Sequence, residues 1–169
     1  AKNICGPAML MLGPWSWVYH HWIIEDLSRL WALDYFPELQ QYPIVVPADL
    51  SNFQRESLSA FGIDENRLLC FDGSNWLFER MYFPTFLAPG GHSGQQMSWI
   101  RNKLFSAWGI RQKKSGTRRV YVSRADADTR RLINEKEVIK SLESYNFEVV
   151  VPGELTLKEQ IEIFNETSI

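Results

Sequence analysis

Short apolar runs fenced by turn residues, with helix-patterned segments between them, constrain this chain more than any other feature. Residues 43–47, PIVVP, form a β-branched run between two prolines and read as a strand. Leu68–Phe71 reads as a second strand, followed by the turn Asp72-Gly73-Ser74-Asn75. Met81–Leu87 reads as a strand or extended segment broken by Pro84, and Pro89-Gly90-Gly91 as a loop. Helices fall around these runs. Residues 15–33 carry Val18, Trp22, Leu27, Leu30 and Leu33 at spacings of three to five, which predicts a helix with a broad apolar face. Pro14 suits its start and Pro37 stops any continuation. Ser51 with Gln54 resembles a capping box, heading a short helix that runs to about Phe61 and stops at Gly62. Residues 94–108 form another helix. This alternation predicts an α/β layer with a mostly parallel sheet.

The composition then shifts. Residues 111–117, RQKKSGT, are basic and lack apolar periodicity, so they read as a linker between an N-terminal lobe, 1–110, and a second lobe, 118–169. In the second lobe, Arg119–Ser123 is a strand with an apolar centre, and 124–131 is a polar loop. Residues 134–145 form a helix with Val138, Ile139 and Leu142 on one face, and Phe147–Val151 is a second strand. After the Pro152-Gly153 turn, Thr156 and Glu159 form a capping box for a helix carrying Ile161 and Phe164. Strand, loop, helix, strand, helix is the opening of a Rossmann-like half. Residue 1 opens inside an apolar stretch, Ile4–Leu12, and Ser168-Ile169 look like the start of a further strand, so the chain is expected to be a piece of a longer protein.

With 45% hydrophobic and 22% charged residues over 169 positions, the chain is neither a disordered tail nor a fibre. No run approaches the roughly 18 apolar residues of a membrane span, and no secretory signal is read at the N-terminus. A net charge of -2 gives no reason to expect nucleic acid as a partner. Two cysteines, Cys5 and Cys70, are too few for a disulfide scaffold or a zinc site and suit small core positions in a reducing compartment. Seven tryptophans are expected mainly in the core, with a sugar- or ring-binding cleft as the other use of such residues.

Charge placement points to chemistry. Between 111 and 131 lie Arg111, Lys113, Lys114, Arg118, Arg119, Arg124, Arg130 and Arg131, opposed there by Asp126 and Asp128 alone. Arg124 stands just past the carboxyl end of a strand, and Arg130 and Arg131 just before a helix N-terminus, where open α/β sheets bind ligands and helix ends attract anions. The planar guanidinium suits phosphate, so the three arginines fit a diphosphate site; a solvated basic loop is the other reading. In the first helix, His21, Glu25 and Arg29 lie four apart and share a face. A His with a carboxylate one turn away can act as a general base, although a structural His fits the same pattern. Asp126-Ala127-Asp128 matches a metal–diphosphate D-x-D pattern, but its arginine neighbours suit direct phosphate binding better. Gly91-His92-Ser93-Gly94-Gln95 resembles part of a nucleophile elbow; Ser93 as a helix N-cap explains it more simply.

Two blocks carry a family resemblance. The first is His21-Trp22-Ile23-Ile24-Glu25-Asp26-Leu27-Ser28-Arg29-Leu30, in which Ser28 stands where proline is frequent. The second is Tyr121-Val122-Ser123-Arg124, then Arg130-Arg131, then Asn134-Glu135, then Leu155-Thr156-Leu157-Lys158-Glu159-Gln160. In this order they resemble the N-terminal portion of glycosyltransferase family 61, which contains capsular-polysaccharide-type transferases and related protein O-glycosyltransferases. The resemblance implies two Rossmann-like lobes of GT-B-like arrangement, the second incomplete here, because the family continues with a strand and a His-Gly loop that complete the donor site. It implies inverting transfer from a nucleotide-sugar donor to a glycan acceptor; because arginines and helix ends can stabilise the leaving diphosphate, no metal cofactor is expected. Arg124 and Arg130 or Arg131 would touch the donor diphosphate, Asn134 and Glu135 would shape the donor-lobe helix start, and His21 and Glu25 would face the acceptor. A cytoplasmic location is expected, with any membrane association made through partners. A non-catalytic glycan- or nucleotide-binding module of the same fold is the alternative.

Overall fold

In the computed structural model, which describes residues 2–85 and 93–168, the N-terminal apolar stretch becomes β1 (Lys2–Leu10), an interior strand. It lies in a four-stranded parallel sheet with β2 (Ile44–Pro47), β3 (Leu68–Phe71) and β4 (Trp76–Tyr82), in the order β3-β2-β1-β4. Gly6, at φ +93, absorbs the register shift between Ile4 and Pro7 where β1 pairs with β4. The strand expected at Met81–Leu87 is thus shifted towards the N-terminus. β4 is an edge strand, and edges carry charges such as Glu79 and Arg80 that mask them in a hydrophobicity reading. Residues 86–87 and the loop Pro89-Gly90-Gly91 lie outside the described residues.

The chain divides into two compact units, Ala1–Ala107 and Trp108–Ile169. In the first, Met9, Met11, Trp22, Leu27, Leu30, Ile44, Val46 and Leu58 form the centre of the core, each at 2% exposure or less. Burying each such side chain contributes about 1.5–3 kcal/mol. Trp22 is pinned there by its indole N–H, which donates to Ser57 Oγ (2.8 Å) on α3 (Asn52–Ala60). The capping box expected at Ser51 and Gln54 heads that helix. Cys70 is exposed, contrary to its expected core position, because it sits on the edge strand β3; the Cys5 side chain lies outside the described residues.

The helix expected over 15–33 starts later and is not uniform. It is α-helical over α1 (Tyr19–His21), π-helical over Trp22–Asp26, 3-10 over Leu27–Trp31 and α-helical again over α2 (Ala32–Tyr35). Side chains compete for the carbonyls of the π turn: Ser28 Oγ donates to Glu25 O (2.7 Å), and Gln96 Nε2 to Ile24 O (2.5 Å). Such bonds bend and rewind helices. Gln96 belongs to α4 (Gly94–Trp108), whose N-terminal turn is capped by Ser93 Oγ accepting from Gln96 N (3.0 Å).

The second unit pairs β5 (Arg119–Val122) in parallel with β6 (Phe147–Val150), through α5 (Glu135–Glu143). After β6 comes α6 (Leu157–Asn165), with the expected Thr156–Glu159 capping box. The chain then returns to the other edge of β5: Arg118 N donates to Glu166 O (3.0 Å) and Ser168 N to Arg118 O (2.8 Å), forming a parallel bridge. Residues 111–117, read as a linker, belong to this unit and are fastened to it. Lys113 N donates to Asn165 Oδ1 (3.0 Å), Lys113 Nζ pairs with Glu166 (2.6 Å), and Thr117 N donates to Glu166 O (2.9 Å). No helix among the described residues is long and apolar enough to cross a membrane.

Gly116 makes this fastening possible, because a Cβ there would overlap the backbone of Glu166 and Thr167. Gly116→Ala should therefore cost about 1–3 kcal/mol, the usual range for overpacking against atoms that cannot move aside. It should also speed amide exchange at Thr117, Arg118 and Ser168. Thermal melts and hydrogen exchange check this; unchanged protection at those amides would contradict it.

Candidate functional site

Each unit brings its candidate residues to the carboxyl end of a strand where the chain leaves in two directions, the place where open parallel sheets bind ligands. In the first unit that strand is β1, flanked by β2 and β4. Its extension, Gly13–Ser16, is closed by Ser16 Oγ, which accepts from Gly13 N (2.7 Å) and lies near Gly13 O (3.1 Å) and the Asp26 carboxylate. Gln54 Nε2 donates to Ser16 O (2.9 Å) from α3.

His21 and Glu25 meet above this turn, His21 Nδ1 lying 2.8 Å from Glu25 Oε1, with side chains 33% and 30% exposed. A carboxylate only accepts, so Nδ1 carries the hydrogen, and in the neutral form of the ring Nε2 keeps the lone pair. Glu25 comes from the π turn, a distortion that recurs at functional sites. Arg29 does not share the exposed face of this pair, as uniform four-residue spacing predicted. The π and 3-10 turns change the angular step, and Arg29 points inward, 2% exposed. There its Nε lies 3.4 Å from Asp26 Oδ1, its Nη1 donates to Pro84 O (2.7 Å), and its guanidinium stacks over Phe83 (4.8 Å). Through Asp26 and Arg29 the buried pair links the Ser16 turn that follows β1 to the segment that follows β4. Burial pushes the Asp26 carboxyl above its ordinary value, against the Ser16 hydroxyl and Arg29, and lowers Arg29 against Asp26. Asp26 and Ser16 were not singled out as site residues, and Gln54 was read only as the capping partner of Ser51; the one available signal for the pair was the Asp26–Arg29 spacing of three.

In the second unit the strand is β5, with β6 on one edge and Thr167 on the other. Ser123, buried at its end, donates to Glu135 Oε1 (2.8 Å) and accepts from Ala125 N (3.0 Å). Tyr121 OH donates to the same Glu135 oxygen (3.1 Å). Glu135 therefore locks the end of β5 to the first turn of α5. Asn134 precedes that helix without a side-chain cap.

The three arginines lie exposed in the intervening loop. Arg124 Nη2 donates to Thr129 O (3.3 Å) and Arg131 Nε to Ala127 O, so both brace the loop from within. Arg130 holds a left-handed backbone, φ 57, which costs a non-glycine residue about 1 kcal/mol. Asp126 accepts from Gly153 N (2.7 Å), joining the ends of β5 and β6. Among the described residues no group of three or more His, Cys, Asp or Glu side chains could hold a metal ion. Of the elbow-like segment, Gly91 and His92 lie outside the described residues, and Ser93 caps α4.

The family model described as Glycosyltransferase 61 matches residues 19–169, a span that includes His21, Glu25 and the arginine loop. No curated protein and no solved structure matches the chain.

Proposed function

The chain belongs to glycosyltransferase family 61, and from that membership we propose an inverting transfer of a sugar from a nucleotide-sugar donor to a hydroxyl of a glycan acceptor, in polysaccharide synthesis. Family membership supplies the transferase activity and a sugar donor and acceptor. The observation that carries the finer reading is the arginine-bearing loop at the carboxyl end of β5, next to the N-terminus of α5.

In this reaction the acceptor oxygen bonds to the anomeric carbon from one face as the bond to the diphosphate oxygen breaks on the other. His21 Nε2 takes the hydroxyl proton, and Glu25 holds the ring and stabilises the imidazolium that forms. Arg124 and Arg130, with Arg131 bracing the loop beside them, bind the diphosphate and stabilise its growing charge as it leaves. Asn134 and Glu135 set the helix start that faces it. Cations in this role need no metal, and Asp126 is already engaged by Gly153.

A panel of nucleoside diphosphates titrated by calorimetry tests the donor assignment. Arg124→Ala and Arg130→Ala should each weaken binding about 10- to 100-fold, the worth of a charge-assisted hydrogen bond. Wild-type affinity should be the same with and without EDTA. Undiminished affinity in both variants would sink the assignment, and dependence on a divalent ion would sink its metal-free form.

A further inference from the structure

Two tryptophans stand in water beside the His21–Glu25 pair. Trp15 is 53% exposed and Trp17 67% exposed, with ring centroids 5.4 Å apart. The Trp15 ring stacks against the His21 imidazole at 6.1 Å and 29°, and His20 meets His21 edge-on at 5.4 Å. An indole carries about 150–250 Å² of surface that folding normally buries. Trp22 shows that this fold buries one completely seven residues after Trp15.

The segment that holds Trp15 and Trp17 outward is anchored rather than loose. Ser16, between them, is buried, closes its own turn onto Gly13, and receives the Gln54 amide on its carbonyl. The Asp26 carboxylate, itself paired to Arg29, lies against the Ser16 hydroxyl. A buried polar network thus fixes the one residue whose neighbours on both sides are exposed indoles. The result is an aromatic surface with an imidazole and a carboxylate at its edge.

We propose that Trp15 and Trp17 are the platform on which the acceptor's pyranose ring stacks, presenting one hydroxyl to His21 Nε2. The inference rests on the transferase reading and adds the acceptor subsite to it. A pyranose is amphipathic in the matching sense. Its axial C–H bonds form an apolar face for the electron-rich indole, and its hydroxyls ring the edge, where His20, His21 and Glu25 stand. Trp15 is the inner contact because it stacks beside the base, and Trp17, its plane tilted 52° to Trp15, flanks the bound ring on the outer side.

The test uses the indole N–H resonances of the 15N-labelled protein, with methyl β-glucopyranoside, methyl β-xylopyranoside, cellobiose, xylobiose and chitobiose as probes and UMP as the competing flat ligand. At least one saccharide should shift the Trp15 and Trp17 signals and receive saturation through its ring C–H protons. Trp15→Ala and Trp17→Ala should each weaken that binding about 2- to 10-fold, and Trp15→Phe should restore most of it. Both side chains are exposed, so far-UV spectra and melting should be unchanged in these variants. In transfer assays the alanine variants should raise the acceptor KM more than they lower kcat. The proposal is overturned if no saccharide moves either indole, if the double alanine variant binds saccharide as the wild type does, or if UMP moves the indoles more than any saccharide. Saccharide binding at the tryptophans in a protein whose arginine variants keep full nucleotide affinity would overturn the donor assignment and leave the platform standing. Arginine-dependent nucleotide binding with silent indoles would overturn the platform alone.

Discussion

Replacing Arg29 by Met should remove about 3–5 kcal/mol of stability, the usual consequence of taking one partner from a buried ion pair. Methionine keeps much of the apolar stem, so the loss comes from the charge left behind. Asp26 is 2% exposed, and burial already pushes its carboxyl above the ordinary range, with the Ser16 hydroxyl and Arg29 pulling it back down. Without Arg29 the carboxylate must take a proton or admit water. The Pro84 carbonyl also loses its donor, and the segment after β4 its tie to the Asp26–Ser16 contact, while β4 itself stays paired with β1. The pH dependence has a definite sign. A carboxyl whose folded pKa is raised binds its proton more tightly in the folded state than in the unfolded one. Its ionisation therefore penalises folding above the folded pKa, and the penalty fades as pH falls through that value. The deficit of Arg29→Met relative to wild type should be largest near neutrality and shrink on acidification, because a protonated Asp26 needs no guanidinium. Urea melts of both proteins over a pH series check size and trend. A deficit at neutrality below about 1 kcal/mol, the worth of an exposed pair, would contradict the burial argument. So would one that grows as pH falls. Adding Asp26→Asn should return part of the loss, and the cycle measures the coupling.

That pair also marks where the sequence stopped being legible. The second unit was readable because each element carries a local signal: the apolar centre of Arg119–Ser123, the capping box at Thr156 and Glu159, the turn at Pro152-Gly153. Strand β1 was not, since an interior parallel strand has no alternation to detect and Gly6-Pro7 breaks its run. The first helix was placed by its apolar spacing, but the direction of each side chain was not. Spacing assumes a uniform step, and the π and 3-10 turns depend on Ser28 and on Gln96, which bonds Ile24 from 72 positions away in the chain. His21 and Glu25 kept their contact because it spans only the α-to-π start, whereas Arg29 was rotated into the core. In the arginine loop, the strand end and helix start were legible, but the use of Arg124 and Arg131 as loop braces was not, because their partners are backbone carbonyls that any sequence provides. The exposure of Trp15 and Trp17 was hidden for a similar reason. Composition assigns tryptophan to the core, and the turn that overrides this is fixed by Gln54 and Asp26 from other elements.

His21→Gln should lower kcat for transfer by about 10²- to 10⁴-fold, the contribution of a positioned general base. Nucleotide affinity and saccharide binding should stay close to wild type. The side chain is one-third exposed and its described hydrogen bond is to Glu25, so the substitution leaves the core untouched. Glutamine can still donate to Glu25 but cannot take a proton from a hydroxyl. The loss should therefore fall on kcat, with the acceptor KM little changed, whereas the tryptophan variants should act in the opposite proportion. Glu25→Gln should do less damage than His21→Gln, since it removes the group that orients and compensates the base rather than the base itself. Steady-state transfer kinetics on the three classes of variant separate these roles. If His21→Gln retains wild-type kcat, the dyad is structural and another group takes the proton. If Glu25→Gln is as severe as His21→Gln, the ring is useless without its carboxylate, and the pair acts as a single unit whose contributions do not add.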